Sequence, residues 1–332
     1  MVDFSIVGEK SGRDSSVCAL TFTSESGDPR PAIRGPAGPK PVSPEHRDQL
    51  GRSRALLWRL WRNPLGFLGM LVIVGWVAVA VMAPLLAPYS PILPDMAHRL
   101  VPPEPAHLLG TDQYGRDILT RILYGSRLSL SVGLLSVGIS FLLGVPLGVA
   151  AGFFGGAIGQ LIMRAMDVLL AFPSLVLAMA LAVSLGPGLT SAMIAVGIVG
   201  IPDFARLSYG QVLSVREREF VESSRAAGAS NLTIIWRAIL PNILSSLIVR
   251  ATLGLGFAVL TAASLSFLGL GAQPPSPELG AMISGGRDYI ISGQWWLATF
   301  PGLAIATMVL GFNLTGDALR DILDPLATRR KG

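Results

Sequence analysis

Two stretches without a single formal charge constrain this chain more than any other feature. Leu128 to Met163 runs for 36 residues without Asp, Glu, Lys or Arg, and Val168 to Pro202 for another 35. A helix that crosses a bilayer needs about 20 apolar residues. Each stretch therefore predicts more than one helix, or one helix with a re-entrant or interfacial piece. In hydrocarbon the backbone must satisfy its own hydrogen bonds, which makes these segments helices. The breaks within them are expected at the four glycines between Gly152 and Gly159 and at Gly186-Pro187-Gly188, both of which are turn chemistry.

The remaining apolar runs complete a set of six predicted spans, near Leu65–Leu86, Leu128–Ala151, Gln160–Leu185, Leu189–Leu207, Asn242–Leu268 and Trp296–Gly316. The expected fold class is an all-α membrane protein with six transmembrane helices. Composition agrees: 51% of residues are hydrophobic, 14% are charged and the mean hydropathy is +0.57. The first run starts only after some sixty residues, unlike the short apolar core of a cleaved signal peptide.

Basic residues orient the bundle. Arg47, Arg52, Arg54, Arg59 and Arg62 precede the first span, Arg216, Arg218, Arg225 and Arg237 lie between the fourth and fifth, and Arg329-Arg330-Lys331 follow the last. With six spans all three groups share one side, which the positive-inside rule makes cytoplasmic, and both termini are then inside. Residues 1–44, rich in Ser, Gly and Pro, are expected to be a disordered cytoplasmic tail. Residues 45–63, with Trp58 and Trp61 among the arginines, predict an interfacial basic helix. Residues 64–127 hold the first span and an extracytoplasmic segment, residues 128–317 a five-helix core, and residues 318–332 a cytoplasmic tail.

The net charge of +5 is explained by this orientation and by anionic lipid, so no nucleic-acid partner is expected. Cys18 is the sole cysteine, which excludes a disulfide framework within the chain, and His46, His98 and His107 fit no ligand spacing. No metal site is expected. The chain lacks a Gly-x-x-x-x-Gly-Lys-Ser/Thr phosphate loop, and no nucleophile–base pair or acid pair emerges, so catalytic residues are none and ATP is not expected to bind here.

The polar segment from Arg216 to Pro241 is too long and too helix-prone for a plain connector. Gly228 is placed to end a first helix in the C′ position, and Ser230 to cap a second that runs to Leu240 before Pro241 opens the fifth span. The small residues Ala226, Ala227, Gly228 and Ala229 would let a partner's backbone approach closely. The plainer reading is an interfacial helix on the lipid headgroups. Among ionisable residues near the membrane, Arg164 with Asp167, Asp203 with Arg206, and Asp317 with Arg320 are expected as i,i+3 pairs within their helices. Arg250 lies about two turns inside the fifth span, where it either borders a wet pore or snorkels to the interface.

Several strings together carry a resemblance. Glu222, Gly228, Leu240 and Pro241 keep the spacing of the EAA loop of bacterial ABC importer permeases, with Ser223 and Ser224 in place of its two alanines. His107 to Asp117 reads His-Leu-Leu-Gly-Thr-Asp-Gln-Tyr-Gly-Arg-Asp, which resembles a segment of the C-type permease subunit of dipeptide and oligopeptide importers. Met163 to Pro173, Arg216 to Val221, Leu265 to Gly271 and Asn313 to Pro325 are similar to the same family, as is Trp61 to Pro64, so the likeness covers about residues 55 to 326.

That resemblance implies a type I ABC importer permease fold in a bacterial inner membrane. It implies as partners a homologous second permease subunit, two ATPase subunits that carry ATP and magnesium, and an extracytoplasmic substrate-binding protein. It makes Glu219, Glu222, Arg225, Ala226 to Ala229, Leu240 and Pro241 the expected ATPase-coupling residues, and His107, Gly110, Thr111, Asp112, Gly115, Arg116 and Asp117 an extracytoplasmic motif. Thr111 and Asp112 are good N-cap residues, so a structural cap on the second span competes there with a receptor contact. Peptide is the expected cargo, with glutathione and nickel as alternatives. An ion-coupled secondary transporter is the competing class, and it would want carboxylates near midplane, where the long uncharged runs leave none.

Overall fold

The computed structural model describes residues 64–323; the expected tail at 1–44 and interfacial helix at 45–63 lie outside the described residues, as does the chain beyond 323. Ten α-helices follow one another among the described residues. They are α1 (Pro64–Leu86), α2 (Ile118–Phe154), α3 (Gly156–Leu170), α4 (Ser174–Leu185), α5 (Leu189–Arg216), α6 (Glu219–Ala226), α7 (Asn231–Ile234), α8 (Leu240–Phe267), α9 (Leu279–Gly286) and α10 (Trp296–Leu323). Strands are absent among the described residues apart from one antiparallel bridge between Thr111 and Asp117.

Five helical stretches are long and apolar enough to cross a bilayer: α1, α2, α5, residues 231–267 through α8, and α10. The expected third span is not one rod. It is α3 and α4, bent by 91° at Ala171-Phe172-Pro173, so among the described residues five spans are long and apolar enough to cross, or six if the bent pair is one. Pro173 lacks an N–H and disfavours helical geometry in the residue before it, which ends α3 at Leu170. At about 1.5 Å per residue, the 12 residues of α4 reach only about 18 Å, short of the roughly 30 Å hydrocarbon core.

Several span edges shift outward. The second span begins at Ile118, ten residues before the expected Leu128, because Asp117 caps the helix there and Arg121 and Arg127 ride on its first turns. The fourth runs on to Arg216 and the sixth to Leu323, so residues 318–323 are helix and not tail. The breaks fell where glycine permits them. Gly155 and Gly156 take φ of +63° and +54° between α2 and α3, and Gly186 takes +85° after α4.

The tightest packing joins α2 to α5, and small residues make it possible. Gly144, Gly148 and Gly152 form a stripe at every fourth position, and a Cβ on Gly148 would overlap the Ala205 carbonyl. Ser136 and Ser140 donate across the same seam to the Met193 and Gly197 carbonyls at 2.9 and 2.7 Å. One core joins α2, α4, α5 and α8 to the polar loop, and holds Val132, Phe204, Val212, Val221, Ile234 and Leu247. A second gathers Ile118, Ile122, Leu279, Met282, Trp296 and Met308 at the other end, and α1 rests on α10 with Trp76 Nε1 donating to Thr307 Oγ1.

Candidate functional site

The loop between α5 and α8 is a capped, anchored knob. Arg216 donates to the Gly152 carbonyl at 2.8 Å, tying the end of α5 to the end of α2. Glu219 and Glu222 occupy the first turn of α6 and Arg225 its last, each with the sign that suits the helix dipole. Gly228, at φ +79°, ends the helix as expected. Its N–H bonds the Arg225 carbonyl and the Ala229 N–H bonds the Ser224 carbonyl, the paired bonds of a Schellman turn. Ser230 then accepts from the Thr233 N–H at 3.3 Å.

The second short helix is not separate from the fifth span. The chain passes from α7 through a π turn, Ile235–Ile239, straight into α8 at Leu240, two residues before the expected Asn242. Pro241 has no N–H to give to the ladder, and beside it the Asn242 side chain donates to the Ala238 carbonyl at 2.7 Å. Fully buried Val221, Ile234 and Ile239 hold the knob to the bundle. Its outer surface carries exposed Phe220, Leu232 and Trp236, together with exposed Glu219, Glu222, Arg225, Ala226, Ala227 and Gly228. Ala229 is half-buried, and Leu240 and Pro241 sit where the knob joins α8.

The motif at 107–117 does the opposite: it folds inward. His107, Thr111, Asp112, Arg116 and Asp117 are all buried. The helix cap is Asp117, which accepts from the Thr120 N–H at 2.8 Å, and not Thr111 or Asp112. Asp112 instead accepts from the Tyr114 and Arg116 N–H groups and from Arg116 Nε at 2.7 Å, with Arg121 Nε at 3.6 Å. A run of charges and turn residues resembles a cap in sequence, yet two neighbouring guanidinium groups claim this carboxylate. Arg116 accordingly precedes the helix and does not ride on it. Thr111 Oγ1 bonds the His98 carbonyl and takes the Val101 N–H, Trp296 Nε1 donates to the Thr111 carbonyl, and His107 Nδ1 meets Asp117 at 3.1 Å. Gly110 and Gly115 sit at φ +79° and +76°, and a Cβ on Gly115 would run into the Asp95 carbonyl.

Arg250 is not alone. Its guanidinium pairs with Asp203 of α5, and Arg206 pairs with Asp167 of α3. None of the three expected i,i+3 pairs forms among the described residues; the charges bond between helices instead. Asp203 and Arg206, three apart on one face of α5, each reach a different neighbour, giving two neutral pairs that link α3, α5 and α8. Asp203 lies halfway along α5, where it faces Arg250 of α8. The clue in sequence was that Asp203 ends one of the uncharged runs. Sequence reasoning also missed Glu278, buried at the start of α9, where its carboxylate accepts from the Ala281 N–H at 2.8 Å; burial pushes its pKa up. Among the described residues no group of three or more His, Cys, Asp or Glu is placed to hold a metal.

Comparison with known proteins decides the family. Residues 144–329 match the model of the binding-protein-dependent transport system inner membrane component, and residues 53–103 that of the N-terminal transmembrane domain of oligopeptide transport permease C. The chain belongs to the binding-protein-dependent permease family. The permease is 47% identical over 290 residues to the dipeptide transport system permease protein DppC of Alkalihalophilus pseudofirmus, covering 86% of this chain and 95% of that one. Its identity to the di/tripeptide transport system permease protein DppC of Pseudomonas aeruginosa is 46%, over 81% of this chain and 90% of the relative. Against the glutathione transport system permease protein GsiD of Pectobacterium atrosepticum it is 44%, over 81% and 89%. In fold, the permease is similar to a chain of the MetNI methionine ABC transporter solved in inward-facing conformations. The TM-score is 0.51 at 21% identity, with 62% of this chain and 97% of the other covered. It is thus an all-α, multi-pass inner membrane permease with the type I ABC importer fold.

Proposed function

We propose that this permease forms half of the translocation path of an ATP-driven peptide importer, with the knob at 216–241 as the part that an ATPase subunit grips. The observation that carries this reading is the knob itself. Its backbone is closed by a Schellman turn and rooted by Val221, Ile234 and Ile239, while Phe220, Leu232 and Trp236 remain exposed around a patch of small residues. A rigid body transmits displacement, where a loose loop would absorb it. In this reading ATP and magnesium bind two partner subunits, a homologous permease completes the pore, and an extracytoplasmic binding protein delivers the cargo.

Relatives named for dipeptides, di/tripeptides and glutathione support a peptidic cargo. The basic clusters support a cytoplasmic knob and cytoplasmic termini, with the bent α3–α4 pair counted as one crossing. The test is ATP-dependent uptake of a labelled dipeptide by the reconstituted complex, with glutathione and nickel as competitors. Uptake that follows a proton or sodium gradient without ATP would refute the proposal. Topology is checked with an impermeant thiol reagent and Cys18 removed: cysteines at Ser90 and Gln273 should react from outside and one at Lys331 should not.

A further inference from the structure

A cavity of about 280 Å³ opens between the motif at 112–121 and the residues from Ser266 to Gly285, which span the end of α8, the linker and most of α9. Its lining holds two guanidinium groups, Arg116 and Arg121, and one carboxylate, Asp112, which leaves one positive charge uncompensated. Asp112 is fully engaged, accepting two backbone N–H groups and Arg116 Nε. Arg121 gives its terminal nitrogens to the Pro91, Pro275 and Ser276 carbonyls, yet its buried Nε has no hydrogen-bond partner. Arg116 is only 7% exposed, stacked over the Tyr114 ring at 4.6 Å, and its Nη groups make no hydrogen bond among the described residues.

Two nearly buried guanidinium groups that share a single carboxylate are costly unless a second anion meets them. The free side of an arginine fork suits a planar carboxylate. The volume admits one residue-sized group and not an extended oligopeptide. Gln113, Gln273 and Ser284 line the same space and supply neutral donors and acceptors.

We propose that this cavity is a subsite for the terminal carboxylate of the cargo, with Arg116 as its main donor. The inference rests on the peptide-import reading above and gives it a chemical specificity, the free C-terminus. The test uses the assembled complex in nanodiscs without its binding protein, and reads saturation-transfer NMR from acetate, from a dipeptide, and from the same dipeptide with a C-terminal amide.

Acetate and the dipeptide should bind, and the amide about tenfold or more weakly, as expected when a charge-assisted hydrogen bond is lost. Arg116→Gln should abolish the acetate signal and Arg116→Lys should keep part of it. Ala281→Phe, which fills the cavity without altering a charged group, should also abolish it. Absence of acetate binding in the wild type, wild-type binding in both Arg116→Gln and Ala281→Phe, or equal binding of the dipeptide and its amide would each overturn the proposal. Failure of the peptide reading is separate: it appears as no ATP-driven peptide uptake by the wild-type complex with its binding protein, and the acetate arm tests the site in either case.

Discussion

The motif at 107–117 and the loop at 216–241 are about equally dense in charged residues, yet they spend them in opposite ways. In the first, Asp112, Arg116, Asp117 and His107 are buried and bond to one another or to backbone. In the second, Glu219, Glu222 and Arg225 are exposed, and backbone bonds around Gly228 do the shaping. A polar group taken from water must find a partner inside the fold, whereas one left in water is free to meet another protein. The inward motif therefore ties the segment before α2 into the bundle, and the outward one presents a surface.

One glycine at positive φ in each region, Gly115 and Gly228, gives the sharpest way to break that contrast. Gly115→Ala should abolish accumulation of folded permease, because the new Cβ would meet the Asp95 carbonyl as well as an unfavourable φ. The yield of monodisperse complex measures it. Next in size is Asp112→Ala, which strands two buried guanidinium groups; a loss of about 3 to 5 kcal/mol is expected, seen as a large fall in thermal stability. A mild effect at Asp112 would mean that the motif is not held together by its charges.

Between the two regions lies the Asp203–Arg250 pair. Asp203→Ala should cost about 1 to 3 kcal/mol, since an unpaired arginine inside a span is unfavourable but this one is partly exposed. Transport should fall with it, and the swap Asp203→Arg with Arg250→Asp should recover both. A silent Asp203→Ala would mean that Arg250 is served by water or headgroups alone.

In the loop, Gly228→Ala has open space around the new Cβ and should cost only about 1 kcal/mol for its φ of +79°. A bulky residue there, such as Trp, should leave the permease folded while uncoupling ATP hydrolysis from transport. Normal transport in that variant would remove the knob from the coupling path.

The smallest expected effect is at Glu278, and it depends on pH. Its folded pKa lies above the unfolded value, so the native state holds the proton to higher pH. Stability from this group is thus greatest below about pH 4.3 and declines as pH rises through the window up to the folded pKa. Glu278→Gln keeps an oxygen for the Ala281 N–H. Its melting temperature should match the wild type near pH 4 and exceed it near pH 8.

The sequence by itself determined that this is a helical membrane protein, where glycine breaks its helices and which loop is a capped unit. Those are local matters: hydrophobic length, glycine at Gly155, Gly186 and Gly228, and the caps permitted by neighbouring residues. It also carried enough family likeness to indicate the fold. What tertiary structure decided was the partner of each polar group. Asp117 and not Thr111 caps α2, Arg250 meets Asp203, and Arg206 meets Asp167. Spacing along one helix names the neighbours a side chain could reach there. In a packed bundle, desolvation makes an opposite charge on the next helix the better partner, and no spacing along the chain records which helix that is.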